Sequence, residues 1–254
     1  MKIDHFHINH KELKERAMKK HGLKWVWMAV LSLCLSACGD DQATIEGILE
    51  DGKGVPVAGM KIIASQMQPV EGYDHLETIT KADGTFRMSG LFRCSIYILK
   101  AWSETSTANA PLTIISGQPG QTSVLPQPMI IRFTAFADGV IFDSQANLDW
   151  LVGPNRDISF EQAEKWVAGQ STTAGGGWKM PTQDELSMLY QQGVGKRNVD
   201  PLFKTTGWWA WAGEFDPSSA CRLGFSFGKG EKNWNLKDNS RDGRVFAVRS
   251  HLKR

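Results

Sequence analysis

The chain has 254 residues, with 29 Lys and Arg against 27 Asp and Glu, a formal charge of +2, and 41% hydrophobic residues. Nothing in that balance builds the Lys/Arg-rich face that nucleic-acid binding requires, so no nucleic-acid partner is expected. The four cysteines contain no Cys-x-x-Cys pair, which removes the common zinc arrangements.

In chain order, the first informative segment is residues 19–38. Lys19, Lys20 and Lys24 precede an apolar run from Trp25 to Leu35, and small residues lead into Cys38. This is the charged, apolar and cleavage-site layout of a secretory signal, and the run is shorter than the roughly 20 residues of a spanning helix. Residues 1–37 are read as a signal peptide, with Met18 of MKKHGLKW as an alternative start. Its removal takes seven basic and three acidic residues, leaving 22 and 24 and a formal charge of −2. Four histidines leave with it. His75 and His251 remain, too few for a His-based catalytic or zinc constellation.

Leu35-Ser36-Ala37-Cys38 resembles a bacterial lipobox. The resemblance implies acylation of Cys38, a lipidated tether over 38–43 and, with Gly39 following, passage to the outer membrane and display at the cell surface. The membrane is then the first partner. Cys34 departs with the signal, so Cys94 and Cys221 are the remaining thiols. The periplasm permits a disulfide, yet no feature of the sequence brings the two together, and two separate residues are preferred.

Residues 44–135 read as β throughout. Short runs at Ile45–Leu49, Met60–Met67, Glu77–Thr80, Thr85–Met88, Cys94–Trp102, Pro111–Ile115 and Pro128–Phe133 are separated by turn signals such as Asp51-Gly52, Asp83-Gly84 and Pro119-Gly120. An antiparallel sandwich follows. Asp83-Gly84 is expected to make a positive-φ hairpin turn that points Phe86 inward. The text IEGILEDGKGVPVAGMKIIA, then TITKADGTFRMSGL and YILKAW, resembles the carboxypeptidase regulatory-like, transthyretin-type family. That resemblance implies a Greek-key all-β sandwich without catalytic residues of its own, acting as a spacer or docking module.

A second domain is expected over 138–254. Ser159 with Gln162, and Thr182 with Glu185, are capping boxes ahead of apolar residues at helical spacing: Phe160, Ala163, Trp166 and Val167, then Leu186, Leu189 and Tyr190. After Lys204 the alternation becomes that of strands, giving α+β. Seven of the ten tryptophans lie between Trp150 and Trp234, which assigns most of them to core. Trp211 and Trp234 are the two considered for an aromatic contact platform.

The order NLDW, SFEQAEKWV, GGGWKMPTQDELSMLY, WWAW and RVFAVRS resembles the Lcl C-terminal domain family, of C-type-lectin-like fold, with a tryptophan plugging the core at Trp178. Lys179 stands where that family usually has Arg. KTTGWWAWAGE followed by SSA and a terminal RVFAVRS also resembles the variable proteins of diversity-generating retroelements. This implies a frame of Ala220, Phe225, Phe227, Gly230, Trp234 and residues 244–249, with diversified positions among the polar residues between them.

The ligand-binding set is Arg222, Ser226, Lys229, Glu231, Lys232, Asn235, Lys237, Asn239, Arg241 and Asp242, with Trp211 and Trp234. An ordinary solvated face would contain similar residues, and that reading stands beside the first. The leading function is surface display of a module that binds an extracellular protein or glycan, with adhesion as its setting. A structural envelope lipoprotein docking a fixed partner is the alternative. No catalytic residue and no cofactor are assigned. Asp238, Asn239 and Asp242 supply calcium-type oxygen ligands, but a polar turn is preferred. An oxidase resembling formylglycine-generating enzymes ranks last, because Cys221 has no second cysteine in this domain.

Overall fold

The computed structural model describes residues 42–108, 111–216, 221–236 and 243–252, and only the backbone at 216, 221 and 233–236. The readings of Cys38 and the signal therefore lie outside the described residues, as do Ala220, Lys237, Asp238, Asn239, Arg241 and Asp242. The described chain is mostly β, with sixteen strands and two α-helices. No helix among the described residues is long and apolar enough to cross a membrane.

Strand β1 (Gln42–Glu50) buries Ala43, Ile45, Gly47 and Leu49 at period two. It pairs antiparallel with β4 (Thr85–Phe92) and parallel with β8 (Thr122–Val124). Facing it is a layer of β3 (His75–Ile79), β2 (Lys61–Gln66) and β5 (Ile96–Trp102), continued by β6 (Ser106–Ala108) and β7 (Leu112–Ile115). Ile45, Leu49, Phe86 and Met88 from the first layer meet Ile62, Ala64, Tyr97 and Leu99 from the second in one core, an arrangement consistent with a β-sandwich.

Two expectations change here. Strands β6 and β8, each three residues long, carry no run of alternation to announce them. The Asp83-Gly84 turn does have its positive φ, 74° at Gly84, and Phe86 does point inward. It does not close a ladder between neighbours, because β4 pairs along β1 while β3 pairs along β2. The turn carries the chain from one layer to the other. Gly84 is required there: a Cβ would stand 2.6 Å from the Leu49 carbonyl oxygen.

Strand β9 (Met129–Ala135) joins the two halves. Its first residues run parallel to the end of β1, with Met129 beside Leu49, and it then pairs antiparallel with β6 and with β10 (Ile141–Asp143). Met129 and Ile131 enter the first core, whereas Phe133 enters a second. The link at 135–139 is a tight hairpin closed by Phe136 N–H to Val140 O and Gly139 N–H to Phe136 O. The sheet runs on through β10, β11 (Leu148–Val152) and the last strand, β16 (Phe246–Ser250). Buried polar contacts reinforce the joint. Arg132 donates to Asp143 at 3.2 and 3.0 Å and to the Met188 carbonyl at 2.6 Å, and the Thr107 hydroxyl donates to Asp200 Oδ2 at 2.7 Å.

Both capping boxes form. Helix α1 (Phe160–Ala168) starts at Ser159 and α2 (Gln183–Met188) at Thr182, each with the reciprocal side-chain bonds to the N3 residue. A small sheet of β12 (Trp209–Asp216), β13 (Cys221–Ser226), β14 (Glu231–Leu236) and β15 (Gly243–Arg244) follows, in the order β14-β13-β12-β15. Its two faces bury different sets. Ala210, Ala212, Leu223, Phe225 and Phe227 join Phe133, Trp150, Phe203 and Phe246 with Leu186 and Leu189 around α2. On the other side Trp211 packs with Phe160, Ala163 and Val167 of α1. Edge-to-face rings link Phe133, Phe203, Phe246, Phe227 and Phe225 at 5.2–6.2 Å, the geometry that aromatic quadrupoles prefer.

Candidate functional site

The frame around the proposed surface is held by buried ion pairs. Arg249, 4% exposed, donates through Nε and Nη2 to Asp149 Oδ2 at 3.2 and 3.0 Å and through Nη1 to the Gly176 carbonyl at 2.6 Å. Its guanidinium lies 4.2 Å from the centre of the Trp178 ring. His251 Nδ1 is 2.7 Å from Asp149 Oδ1, and its ring stacks on Phe142. These contacts fasten β16 to β11 and to the glycine triplet, where Gly175, Gly176 and Gly177 all have positive φ. Trp178 is thus half-buried beneath a cation, its indole N–H donating to Thr173 O, and it plugs only the margin of the core around α1. Trp150 and Trp211 fill the interior instead.

Arg244 forms the second tie. It donates to Asp157 at 2.7 Å, to Asn155 at 3.2 Å and to the Thr206 hydroxyl at 3.0 Å, fixing β15 against the loop before α1. Helix α2 is tied to the small sheet by Gln183, whose Nε2 donates to Gly224 O at 2.7 Å and whose backbone N–H donates to Glu214 at 2.6 Å. Gly213 donates to Pro181 O, and a Cβ at Gly213 would stand 2.8 Å from that of Met180.

On this frame the expected contact residues divide. Arg222 lies with its guanidinium 4.1 Å from the Phe160 ring centre and 5.0 Å from that of Phe215, a cation held between two aromatic faces. Lys229, Glu231 and Lys232 are exposed on the turn and the edge strand β14. Lys232 pairs with Asp184 of α2, both substantially exposed. The set therefore wraps the β14 edge from the α1 side, where Arg222 sits, to the α2 side, where Lys232 sits.

Two members do not belong. Ser226 is 1% exposed, and its hydroxyl accepts the Lys229 N–H inside the β13–β14 turn, so it shapes the turn and faces no ligand. Trp211 is fully buried, packed edge-to-face on Phe160, with its indole N–H donating to Ile158 O at 2.7 Å. Its polar handle is already satisfied indoors, so it is core. Trp234 and Asn235 lie in β14, with side chains outside what the structure describes; Lys237, Asn239, Arg241 and Asp242 lie outside the described residues altogether.

Sequence reasoning missed Phe215, 47% exposed beside Arg222, and Asp184, the partner of Lys232. An isolated aromatic between Glu214 and Asp216 was the available sign for the first. Cys94 is an exposed free thiol. Among the described residues no group of three or more His, Cys, Asp or Glu is placed to hold a metal ion.

No family model matches the chain, and no curated protein is similar enough to match it. Among solved structures, a streptococcal ancillary pilin is 16% identical over 36% of this chain and 30% of its own, with a TM-score of 0.26. Chlorocatechol 1,2-dioxygenase from Pseudomonas putida is 14% identical over 37% of this chain and 62% of its own, at 0.25. A 9R-lipoxygenase from Cyanothece is 13% identical over 34% and 17%, at 0.20. Each likeness spans less than two thirds of the other protein's length.

Proposed function

We propose that this chain is a lipoprotein anchored through Cys38 at the outer membrane and displayed at the cell surface. Its second half is a lectin-like head that binds an extracellular protein or glycan along the β14 edge. The observation that carries the reading is the parallel register of β1 and β9. Strand β1 leads from Gln42 to Leu49, and β9 continues in the same direction from Met129 to Ala135. At about 3.3 Å per residue the second core stands roughly 40 Å beyond the start of β1. The polar edge is therefore carried on the half farthest from the proposed anchor. Loops and edges on a rigid scaffold are where recognition concentrates, and aromatic–Arg pairs such as Phe215 with Arg222 suit interface centres.

The separation of frame from surface also supports diversification by a retroelement. Phe225, Phe227, Arg244, Val245, Phe246, Val248 and Arg249 are buried, whereas Glu231 and Lys232 are exposed. A reverse-transcriptase gene beside a near-copy of the terminal coding segment, differing at adenines, is the expected genomic setting; its absence removes diversification and leaves the binding role intact.

The binding role is tested by probing glycan and extracellular-protein arrays with the full mature chain and with Arg222→Ala/Lys229→Ala/Lys232→Ala, with matched circular dichroism. Loss of signal in the folded variant supports the assignment. Equal signal overturns it in favour of a structural lipoprotein whose partner docks elsewhere.

A further inference from the structure

We infer that the end of the sandwich nearest the anchor rests on the bilayer, through an apolar patch formed by Met67, Val70, Ile96 and Ile115. This rests on the proposed acylation of Cys38. Three residues separate Cys38 from Gln42, so the four backbone steps between them reach at most about 14 Å. Gln42 in turn is fixed: it pairs with Phe92, and its carbonyl accepts the Gly120 N–H at 2.9 Å. The end of the molecule carrying Gln42 is thereby held against the membrane surface.

The register places the patch at that same end. Phe92 leads through the β4–β5 turn to Ile96, Ile96 pairs with Ile115, and the Met67 N–H donates to Ile96 O at 2.9 Å. Facing layers of a sandwich lie about 10 Å apart, so the patch in the second layer stands about one layer's width from Gln42. Its members are 52% (Met67), 36% (Val70), 39% (Ile96) and 62% (Ile115) exposed, with no protein cover among the described residues. Other exposed apolar side chains, such as Val55 and Ile79, lie at the opposite end, out of the tether's reach.

The patch is also held rigidly. Val70 N–H donates to Gln66 Oε1, Tyr73 N–H to Val70 O, and the Tyr73 ring packs on Phe92 at 5.2 Å. Little loop entropy is then lost on contact. The exposed charged residues next to it in sequence, Glu71, Asp74 and Arg93, form no basic cluster, so the attraction is apolar and does not depend on anionic lipid or low salt. A soluble domain would gain little from so small a surface. Under a tether this short, the effective concentration of lipid makes the contact persistent.

Cys94, exposed beside Ile96, is a built-in reporter. The full acylated chain carrying Cys221→Ser is labelled at Cys94 with bimane and placed in phosphatidylethanolamine–phosphatidylglycerol vesicles containing a lipid nitroxide. The expected result is a blue shift and quenching well above that of bimane at Lys53→Cys, in a Cys94→Ser/Cys221→Ser background, at low and high salt alike. Met67→Asp/Val70→Asp brings the Cys94 signal down to the Lys53 level without altering circular dichroism. Vesicle flotation with equal quenching at the two positions overturns the contact and leaves the anchor standing. An intact mass lacking the acyl groups, with no flotation, overturns both.

Discussion

Replacing Arg249 by Ala tests whether the last strand is the frame that holds the contact edge. The side chain is buried and makes two bonds to Asp149, one to Gly176 and a cation–π contact with Trp178. Asp149 is completely buried, so removing the guanidinium leaves a carboxylate without its main counter-charge, which costs about 3–5 kcal/mol. For a chain of this size each kcal/mol lowers the melting temperature by about 2–4 °C, giving a fall of roughly 6–20 °C. The second arm is Asp149→Asn with Arg249→Met. It removes the buried charge together with its partner and retains much of the stem packing on Trp178, so it recovers part of the loss. Chemical denaturation of wild type, Asp149→Asn, Arg249→Met and the double variant gives the coupling energy directly. A loss under 1 kcal/mol for Arg249→Ala, or additive single and double effects, would refute the reasoning.

Asp200 is buried, accepting from the Thr107 hydroxyl and the Leu202 N–H, and burial pushes its carboxyl above the ordinary value of 3.8. A raised folded pKa means that its stabilising contribution is complete below the unfolded value and is lost as pH rises through the folded one. Asp200→Asn should therefore gain on wild type as pH rises above the ordinary carboxylate value of about 4, and a stability difference independent of pH would count against this. Gly230 has φ 72°, and a Cβ there would meet the Tyr190 ring at 2.7 Å; Gly120 has φ 76° and open space. Gly120→Ala should cost about 1–2 kcal/mol for the left-handed backbone alone, and Gly230→Ala measurably more. Equal costs would mean that Tyr190 yields freely.

What the sequence disclosed follows from how local each signal is. The two capping boxes need four consecutive residues each, and both form at Ser159 and Thr182. Strands β1, β2 and β5 alternate long enough to reveal themselves, whereas β6 and β8 are ordered by their neighbours and leave no periodicity to read. The Asp83-Gly84 turn was legible as a turn, but which strands it joined depended on the distant pairing of β1 with β4. In the contact set, polarity stood in for exposure. That works for Lys229, Glu231 and Lys232, whose long charged side chains resist burial. It fails for Ser226, small enough to be enclosed by its own turn. Trp211 shows the same limit from the other side: its face of β12 was settled by α1, packed from fifty residues upstream. The continuity of β9 through both cores was likewise invisible, because it depends on Phe133 finding Phe203 and Trp150.

The central claim is that recognition occurs along the β14 edge, far from the anchor. The most direct measurement is the dissociation constant of an array-identified ligand for the full mature chain in three forms: wild type, Arg222→Ala/Lys229→Ala/Lys232→Ala, and Lys53→Ala/Lys61→Ala/Arg87→Ala on the sandwich. Losing a contact centre of about 2 kcal/mol should weaken the first variant roughly 30-fold, while the second binds as wild type. Equal affinities for the two variants, or a loss confined to the sandwich variant, would contradict the account.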